Sequence, residues 1–360
     1  MMQNKIKITK TSSSRLKDVD FKNLGFGRVF SDHMFVAEYK NGKWQEGEIV
    51  PFGNISVSPS LATLHYSQTI FEGLKAFKYP NGEAKVYRPD QHAARLNLSA
   101  ERICIPSFPE DIFVDAVKTL INLDKGWIPS EKGDSLYVRP FMFATDEFLG
   151  VRPSEEYKFI ILTSPAGSYY DGNVKVLVED TYVRATEGGT GATKTGGNYA
   201  ASLLPAKQAL EKGYDQILWT DAKEHKYVEE IGTMNVMFQI GDTIVTPELN
   251  SSLLGGITRK SIIELCKHWN IPIEERKISI DELIEASKKG LLKDAFGTGT
   301  AATITHIDSL TYKGTEITLP SKEERSISNK LQAYLTGMKF GEVEDELGWM
   351  VSIDQTAHTV

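Results

Sequence analysis

The sequence has few cysteines, no long apolar run and no long basic run, and each shortage excludes a class of protein. Only two cysteines, Cys104 and Cys266, occur in 360 residues, which excludes a disulfide framework and a zinc-binding spacing. No apolar run approaches the ~18 residues of a membrane-spanning helix. The N-terminus lacks the apolar segment of a secretory signal. A net charge of −7 argues against nucleic acid as a partner. We therefore predict a soluble cytoplasmic protein without a metal site.

The composition is otherwise that of a globular protein, with 41% hydrophobic and 25% charged residues. A chain of 360 residues suggests two domains. The segment that begins at Pro165 also contains Gly167 and Gly172, and it is the best candidate for a linker. We predict a small N-terminal domain at 1–165, a linker at 166–176 and a large domain at 177–360.

Hydrophobic periodicity predicts helices and strands that do not alternate regularly. The predicted strands cover residues 28–39, 84–88, 135–145, 157–164, 174–179 and 216–220, followed by a hairpin near 227–246 that turns at Gly241-Asp242. One predicted helix begins at Pro89. The others cover 109–128, 199–212, 258–269, a segment from the capping box Ser279-x-x-Glu282 to Gly290, and 322–338. This arrangement indicates an α+β fold, not a doubly wound sheet.

Three glycine-rich segments invite a nucleotide-binding interpretation, and two of them fit it poorly. Residues 188–195 lack the glycine that a phosphate-binding loop needs directly before its lysine, here Lys194. Residues 297–302 form a nominal GxGxxA, but a strand and not a helix is predicted after them. Gly255-Gly256 precedes a predicted helix, whose first N–H groups and positive dipole end suit a phosphate. A plain surface turn explains this pair equally well.

Lys194 lies among small residues, and a solvated loop lysine is its simplest interpretation. The alternative is a lysine that bonds to a carbonyl compound, because its pKa falls when it is desolvated near other cations. Such a site needs a phosphate anchor, a carboxylate for a pyridine nitrogen and a donor for a ring oxygen. The sequence offers candidates for each, although spacing alone does not show that they converge.

Several segments, in the same order, resemble those of the branched-chain amino acid aminotransferases, a family of fold-type-IV enzymes that use pyridoxal 5′-phosphate (PLP). The resemblance runs from about residue 24 to the C-terminus and matches the longer, eukaryotic-like form. It is carried by SDHM (31–34), HYSQTIFEGLKAF (65–77), RPDQHAARLNLSAER (88–102), YVRP (137–140), KTGGNY (194–199), VEEIGTMN (228–235), GITR (256–259) and FGTGTA (296–301).

The resemblance implies a two-domain α+β fold, with a small N-terminal α/β domain and a larger C-terminal pseudo-barrel domain that binds PLP. It implies that Lys194 holds the cofactor covalently and moves the proton of the substrate. Glu230 would face the pyridine nitrogen, and Glu229 would then face the opposite side of the strand. Tyr199 would donate to the ring oxygen. The implied phosphate and cofactor contacts are Arg95, Thr233, Ile257, Thr258 and Thr300.

The implied substrates are leucine, isoleucine or valine, with 2-oxoglutarate as the acceptor in a ping-pong transamination. Core packing explains each pocket residue singly, but together they match an apolar and aromatic wall formed by Phe26, Tyr66, Phe71, Tyr137 and Val151. Arg139 would help to accept the distal carboxylate of glutamate, and the Thr300-Ala301 turn would hold the substrate α-carboxylate. Family members work as dimers, so Tyr66 and the 148–151 loop are expected to reach a neighbouring subunit's site.

Other members of the fold remain alternatives, namely a D-amino acid transaminase and an aminodeoxychorismate lyase. Both are usually shorter and lack the SDHM and FEGLKAF segments. A nucleotide-binding module and an inactive homologue are further alternatives. The sequence also departs from mammalian relatives, which carry a redox-active CxxC where Ala302 and Thr305 stand here. We expect no thiol switch, and we expect Cys104 and Cys266 to be inert core residues.

Overall fold

The structure, a computed structural model, describes residues 6–167 and 174–354, and the chain divides into two compact units. The first unit holds the described residues up to 167, Lys194–Gly196 and the residues from Gly337 onward. The second holds residues 174–193 and Gly197–Thr336. The centre of the predicted linker, including Gly172, lies outside the described residues, so the predicted domain bounds stay predictions.

Short strands and medium helices alternate irregularly along the chain. The strands are β1 Lys7–Ile8, β2 His33–Lys40, β3 Lys43–Trp44, β4 Glu48–Pro51, β5 Thr69–Phe71, β6 Leu74–Lys78, β7 Ala84–Tyr87, β8 Ser135–Ala144, β9 Tyr157–Ala166, β10 Lys175–Val178, β11 Gln216–Thr220, β12 Val228–Ile231, β13 Asn235–Ile240, β14 Thr243–Thr246, β15 Ile273–Glu275, β16 Leu292–Thr298, β17 Ile304–His306, β18 Ser309–Tyr312, β19 Thr315–Thr318 and β20 Met350–Ser352. The α-helices are α1 Ala62–Tyr66, α2 Pro89–Arg102, α3 Glu110–Leu123, α4 Gly196–Ala201, α5 Leu203–Glu211, α6 Ile257–His268, α7 Ile280–Lys288 and α8 Ser326–Lys339, with single 3-10 turns at Leu16–Asp18, Lys125–Trp127 and Lys322–Glu324.

A ten-stranded sheet with α2 and α3 forms most of the first unit. Its strand order is β1-β4-β2-β9-β8-β6-β7-β20, with β3 paired to β2 and β5 paired to β8. The core contains a group of aromatic rings in which Phe159 contacts Phe35, Phe108 and Phe113. The apolar face of α2, with Ala93, Leu96 and Ala100 in this core, fixes the orientation of that helix. Candidate site residues lie on α2 and on β5.

The second unit contains two five-stranded sheets that share one hydrophobic core. The strand orders are β12-β11-β10-β18-β19 and β15-β14-β13-β16-β17. Leu218 and Ile231 from the first sheet and Val236 and Phe238 from the second belong to the same buried cluster. Strand β12, which carries two neighbouring glutamates, is an edge strand of its sheet, and both glutamates are buried.

Most predicted elements are confirmed within a few residues, including the helix that begins at Pro89 and the hairpin turn at Gly241-Asp242. The predicted start of that hairpin near residue 227 is wrong, because β12 pairs with β11 and the hairpin begins with β13. The predicted helix 199–212 is wrong in its continuity, because α4 ends at Ala201 and α5 begins at Leu203. Pro205 lies in the first turn of α5, where its missing N–H is tolerated; within a continuous helix it would remove the bond to the Ala201 carbonyl.

Two further predictions are corrected by side-chain positions. The Ser279 side chain accepts from the Glu282 N–H as predicted, but the Glu282 carboxylate binds Arg276, so only half of the capping box forms. Cys266 is buried, whereas Cys104 is exposed and is not a core residue. Cys104 follows α2 with a φ of 59°, and this turn carries its side chain outward although both neighbours are isoleucines. Among the described residues, no helix is long and apolar enough to span a membrane.

Candidate active site

In the first unit, Lys194 is held by its backbone between β5 and α2. The Phe71 N–H donates to the Lys194 carbonyl at 3.0 Å, and the Lys194 N–H donates to Ser99 Oγ on α2 at 3.0 Å. The next residue, Thr195, forms a bridge with Ile70 and donates its hydroxyl to the Thr69 carbonyl. The lysine therefore has a fixed backbone, unlike a lysine in a solvated loop.

The amine of Lys194 lies in a site that disfavours its charge. Its Nζ lies 4.7 Å from the centroid of the Phe71 ring. Burial, with the positive charge of Arg95, lowers the pKa of Lys194 to about 8, although Glu72 opposes the shift. A lysine with this pKa has an appreciable neutral fraction near physiological pH, and only the neutral amine is a nucleophile.

Glu72 organises the charges around this lysine. Arg95 Nε donates to Glu72 Oε1 at 2.7 Å, and Arg95 Nη2 donates to Oε2 at 2.9 Å. His92 Nδ1 lies 2.6 Å from the same Oε2. Burial raises the pKa of Glu72, but Arg95 and His92 outweigh it and hold this pKa well below its usual range. Neither Glu72 nor His92 was predicted from the sequence to have a role, although both lie in segments that carry the resemblance.

A largely apolar cavity of about 390 Å³ in the first unit contains four of the predicted pocket residues, namely Phe26, Phe71, Tyr137 and Arg139. Arg139 donates to the Tyr137 hydroxyl at 2.9 Å, and its guanidinium carbon lies 4.6 Å from the centroid of the Phe71 ring. The cavity thus combines an aromatic wall with one fixed cation.

Two predicted pocket residues, Tyr66 and Val151, do not line this cavity. Both side chains are exposed, and the Tyr66 hydroxyl donates to the Leu149 carbonyl. Their predicted role at a neighbouring subunit's site stays a prediction.

In the second unit, Glu230 is buried in a polar setting that favours its charged form. The Leu254 N–H donates to Glu230 Oε1 at 2.7 Å, and Arg184 Nε lies 3.3 Å from Oε2. The predicted Tyr199 and Thr233 line the same small cavity as Glu230. The structure therefore brings three predicted cofactor residues together in this unit, and it adds Arg184, which was not predicted from the sequence.

The glycine-rich loop before Lys194 is packed against its own unit. A Cβ on Gly191 would lie 2.3 Å from the Ser252 carbonyl oxygen, so glycine is required by close backbone approach. The Asn198 side chain donates to the carbonyls of Thr190 and Thr193, each at 2.7 Å. These contacts explain Gly191 and the shape of the loop without a phosphate.

The start of α6 has the features of an anion site. Gly256 is the N-cap residue and supplies no side-chain cap to the first turn, which contains Ile257 and Thr258. A Cβ on Gly256 would lie 2.0 Å from Asn235 Oδ1, so the backbone can approach only as glycine. Thr258 Oγ1 donates to the Gly299 carbonyl at 3.1 Å, which joins this helix start to the turn that carries Thr300 and Ala301. The second unit thus gathers the segments predicted to hold a phosphate, apart from Arg95.

Comparison with known proteins decides the family. The family model for amino-transferase class IV matches residues 69–310. The chain belongs to this family. The match includes Glu72, Lys194, Glu230 and the start of α6, so the features described above lie inside the matched segment.

Curated relatives of the chain include branched-chain-amino-acid aminotransferases. The chain is 46% identical to branched-chain-amino-acid aminotransferase 2 of Bacillus subtilis over 98% of each chain. It is 42% identical to the branched-chain-amino-acid aminotransferase of Mycolicibacterium smegmatis over 96% of each chain. The crystal structure of the Escherichia coli branched-chain amino acid aminotransferase matches with a TM-score of 0.72 and 28% identity, covering 88% of this chain and 99% of that one. The resemblance and the fold-type-IV architecture predicted from the sequence are confirmed.

Proposed function

We propose that this class IV aminotransferase transfers the amino group of L-leucine, L-isoleucine or L-valine to 2-oxoglutarate, giving the branched-chain 2-oxo acid and L-glutamate. The observation that carries the proposal is the setting of Lys194. This lysine has a lowered pKa, a fixed backbone and the Phe71 ring beside its amine, and Phe71 also lines the apolar cavity. The names of the curated relatives support the choice of branched-chain substrates.

We propose PLP as the cofactor, and the donor set of each unit fits that group. The first unit offers a lysine of lowered pKa and an arginine, and the second offers an uncapped helix start and a buried carboxylate. When bound, PLP supplies an electron-withdrawing ring that takes up the electron pair left when the substrate Cα loses its proton. Lys194 would hold the cofactor covalently, and Arg95, Ile257, Thr258 and Thr300 would contact its phosphate.

Three side chains have proposed roles at the reacting atoms. The Lys194 amine takes the proton from the substrate Cα and returns it, which needs a pKa near the working pH. Glu230, ionised beside Arg184, would accept a hydrogen bond from the protonated pyridine nitrogen of the cofactor. Tyr199 would donate to the ring oxygen, and Thr233 would be a further cofactor contact.

The cavity of the first unit suits both kinds of side chain that a branched-chain aminotransferase must accept. The rings of Phe26, Phe71 and Tyr137 offer apolar surface to an isobutyl-type group. Arg139, held by the Tyr137 hydroxyl, offers a cation to the distal carboxylate of glutamate. The Thr300-Ala301 turn is proposed to bind the α-carboxylate that both substrates share.

We also propose that the protein works as a homodimer in the cytoplasm. The exposed apolar side chains Leu64, Leu149 and Val151 in the first unit support burial of this surface by a second copy, together with Tyr66 and Phe148. Both cysteines are free, which suits a reducing compartment. Sedimentation would show a mass twice that of the 40.1 kDa chain if the dimer forms.

The visible absorption spectrum of the purified protein, with and without L-leucine and in the absence of an oxo acid acceptor, tests the proposed function. We expect a yellow protein whose visible band gives way to an ultraviolet band when L-leucine is added. A yellow protein that responds to D-alanine and not to L-leucine would indicate a D-amino acid transaminase instead. A protein that stays colourless after incubation with PLP would overturn the proposal.

A further inference from the structure

Strand β12 presents two neighbouring buried glutamates, Glu229 and Glu230, to different cavities of the second unit. Glu230 lines the small cavity that contains Tyr199, whereas Glu229 lines a separate cavity of about 490 Å³. This alternation follows from the period of two along a strand. The two carboxyl groups are close enough to influence each other, and one guanidinium, that of Arg184, acts on both.

The hydrogen bonds of Ser252 indicate the protonation state of Glu229. Ser252 Oγ contacts both Glu229 Oε1 and Asn250 Oδ1, the latter at 2.7 Å. Asn250 Oδ1 also accepts from the Ser252 N–H at 2.7 Å, so this atom is the amide oxygen and cannot donate. A hydroxyl has one proton and can donate to only one of the two oxygens. The second contact is satisfied if Glu229 is protonated and donates to Ser252 Oγ.

The other oxygen of Glu229 leads to the same assignment. Glu229 Oε2 is buried and has no hydrogen-bond partner among the described residues. A buried carboxylate oxygen without a donor is costly, whereas the carbonyl oxygen of a neutral carboxylic acid loses much less hydration. Glu230, by contrast, receives both the Leu254 N–H and the Arg184 ion pair.

The surrounding charges act in the same direction. Burial raises the pKa of Glu229 to about 7; Ser252 and Arg184 oppose the rise, and Glu230 and Asp221 add to it. The cavity faced by Glu229 is lined by the acidic Glu187, Asp221, Glu224 and Glu248, against the basic Lys223 and Lys277. An additional negative charge at Glu229 is therefore disfavoured by Glu230 on the strand and by Asp221 in the cavity.

We propose that Glu229 is held as a neutral carboxylic acid that donates to Ser252, and that it acts as a positioning residue by leaving Arg184 to neutralise Glu230 alone. Two adjacent buried carboxylates beside one guanidinium cannot both ionise cheaply, and Glu229 carries the proton so that Glu230 does not. The consequence for catalysis rests on the proposed function, in which Glu230 must stay charged. The protonation of Glu229 itself does not rest on it.

The direct test is a pH titration of the side-chain carboxyl carbons by NMR. The sample is the full-length protein as purified, labelled with ¹³C-glutamate, with no cofactor removed or added. The signal of Glu229 is the one absent from Glu229→Gln. We expect its midpoint at pH 7 or above in the wild type, well above the ordinary value of 4.5, so that the neutral form is populated at physiological pH. In Glu230→Gln, Arg184 is released to Glu229, and the titration midpoint should fall by at least one pH unit. Glu248→Gln removes an acidic residue from the same cavity that does not contact Ser252, and it should leave the midpoint unchanged within a few tenths of a unit.

Kinetics with L-leucine supply the second readout. Glu229→Gln reproduces the neutral form and should keep kcat within about twofold, whereas Glu229→Ala, which removes the contact to Ser252, should lower kcat by roughly tenfold. A Glu229 midpoint near pH 4, or no shift in Glu230→Gln, would overturn the proposal, and so would equal impairment of the two Glu229 variants. If the protein bound no PLP, the proposed function would fail, while the titration would still decide the protonation of Glu229.

Discussion

Lys194 in the first unit and Glu229 in the second have pKa values displaced toward neutrality from opposite sides. Burial lowers the pKa of Lys194 to about 8 and raises that of Glu229 to about 7. In both, burial is the largest cause because it disfavours the charged form, and a neighbour of like charge adds to it: Arg95 beside the lysine, Glu230 beside the glutamate. Similar electrostatics thus bring the pKa values of both groups close to pH 7.

The difference between them lies in what a proton on the group accomplishes. Lys194 lies beside the Phe71 ring, which also lines the apolar cavity, so its amine is placed to act on a substrate. Glu229 contacts Ser252 Oγ. In our proposal it donates a hydrogen bond there and takes no part in the reaction, so its proton serves only to adjust the charge around Glu230, which pairs with Arg184. A displaced pKa therefore identifies a group that matters, and its neighbours decide whether it acts directly.

The largest expected effect comes from removing the amine of Lys194. We expect Lys194→Ala to lose turnover with L-leucine by at least ~10³-fold, because both the covalent attachment and the proton transfer depend on that amine. The measurement is the initial rate of glutamate formation, with circular dichroism to verify the fold. Lys75→Met is the matched control, since burial lowers the pKa of Lys75 to about 8 as well. Near wild-type turnover of Lys194→Ala would refute the assignment.

Replacing Glu230 should have the next largest effect. Glu230→Gln removes the charge that pairs with Arg184 and that would keep the pyridine nitrogen protonated, and we expect kcat to fall by ~10²–10³-fold. The steady-state rate with leucine and 2-oxoglutarate measures it. Glu248→Gln, which changes a nearby exposed carboxylate, should leave the rate unchanged. A Glu230→Gln enzyme as active as this control would contradict the proposed role.

The longer elements of this fold were predictable from the sequence, because they depend on local signals, whereas short strands such as β5 and β6 were not predicted. Pro89 begins α2, and Gly241-Asp242 closes a hairpin between apolar runs. The roles assigned to Lys194 and Glu230 came from resemblance to a family and not from their spacing, and they stay predictions. The break between α4 and α5 was missed although Pro205 signals it, because the apolar period continues across the break.

The supporting network around each site was not predictable, because it depends on contacts between residues far apart in the chain. Glu72 binds Arg95 from 23 residues away, and Ser252 reaches Glu229 across the same separation. Either glutamate would be interpreted from sequence as an ordinary charged residue. The exposure of Cys104 was likewise not predictable, because it follows from a left-handed backbone conformation that the neighbouring residues do not indicate.

The ion pair between Glu72 and Arg95 should contribute to stability as much as to function. Glu72→Gln leaves Arg95 buried beside a neutral group, and we expect it to lower the free energy of unfolding by ~3–5 kcal/mol. The pKa of Glu72 lies well below its usual range in the folded protein, so its stabilisation is complete above pH ~5 and is lost as the pH falls. Urea unfolding at pH 7 and pH 4 measures both effects. If the free energy of unfolding fell equally with acid in the wild type and in Glu72→Gln, the stabilising role of this ion pair would be contradicted.

The smallest expected effect is a gain in stability and not a loss. It separates the function of Lys194 from the free energy that its buried charge removes from folding. The pKa of Lys194 lies near 8 in the folded protein, below its ordinary value of 10.5. Between those two pH values the unfolded chain binds more protons, so the stability of the cofactor-free wild type should rise with pH; below pH 8 the full penalty of the charge applies. Lys194→Met removes that charge, and it should stabilise the cofactor-free protein at pH 7 by ~1–3 kcal/mol, the lower end reflecting partial access to water. Thermal unfolding at pH 7 and pH 10 would show the gain shrinking as the pH rises. A variant less stable than the wild type at pH 7 would mean that the lysine is adequately paired without the cofactor, and that its amine resembles an ordinary lysine more than it resembles Glu229.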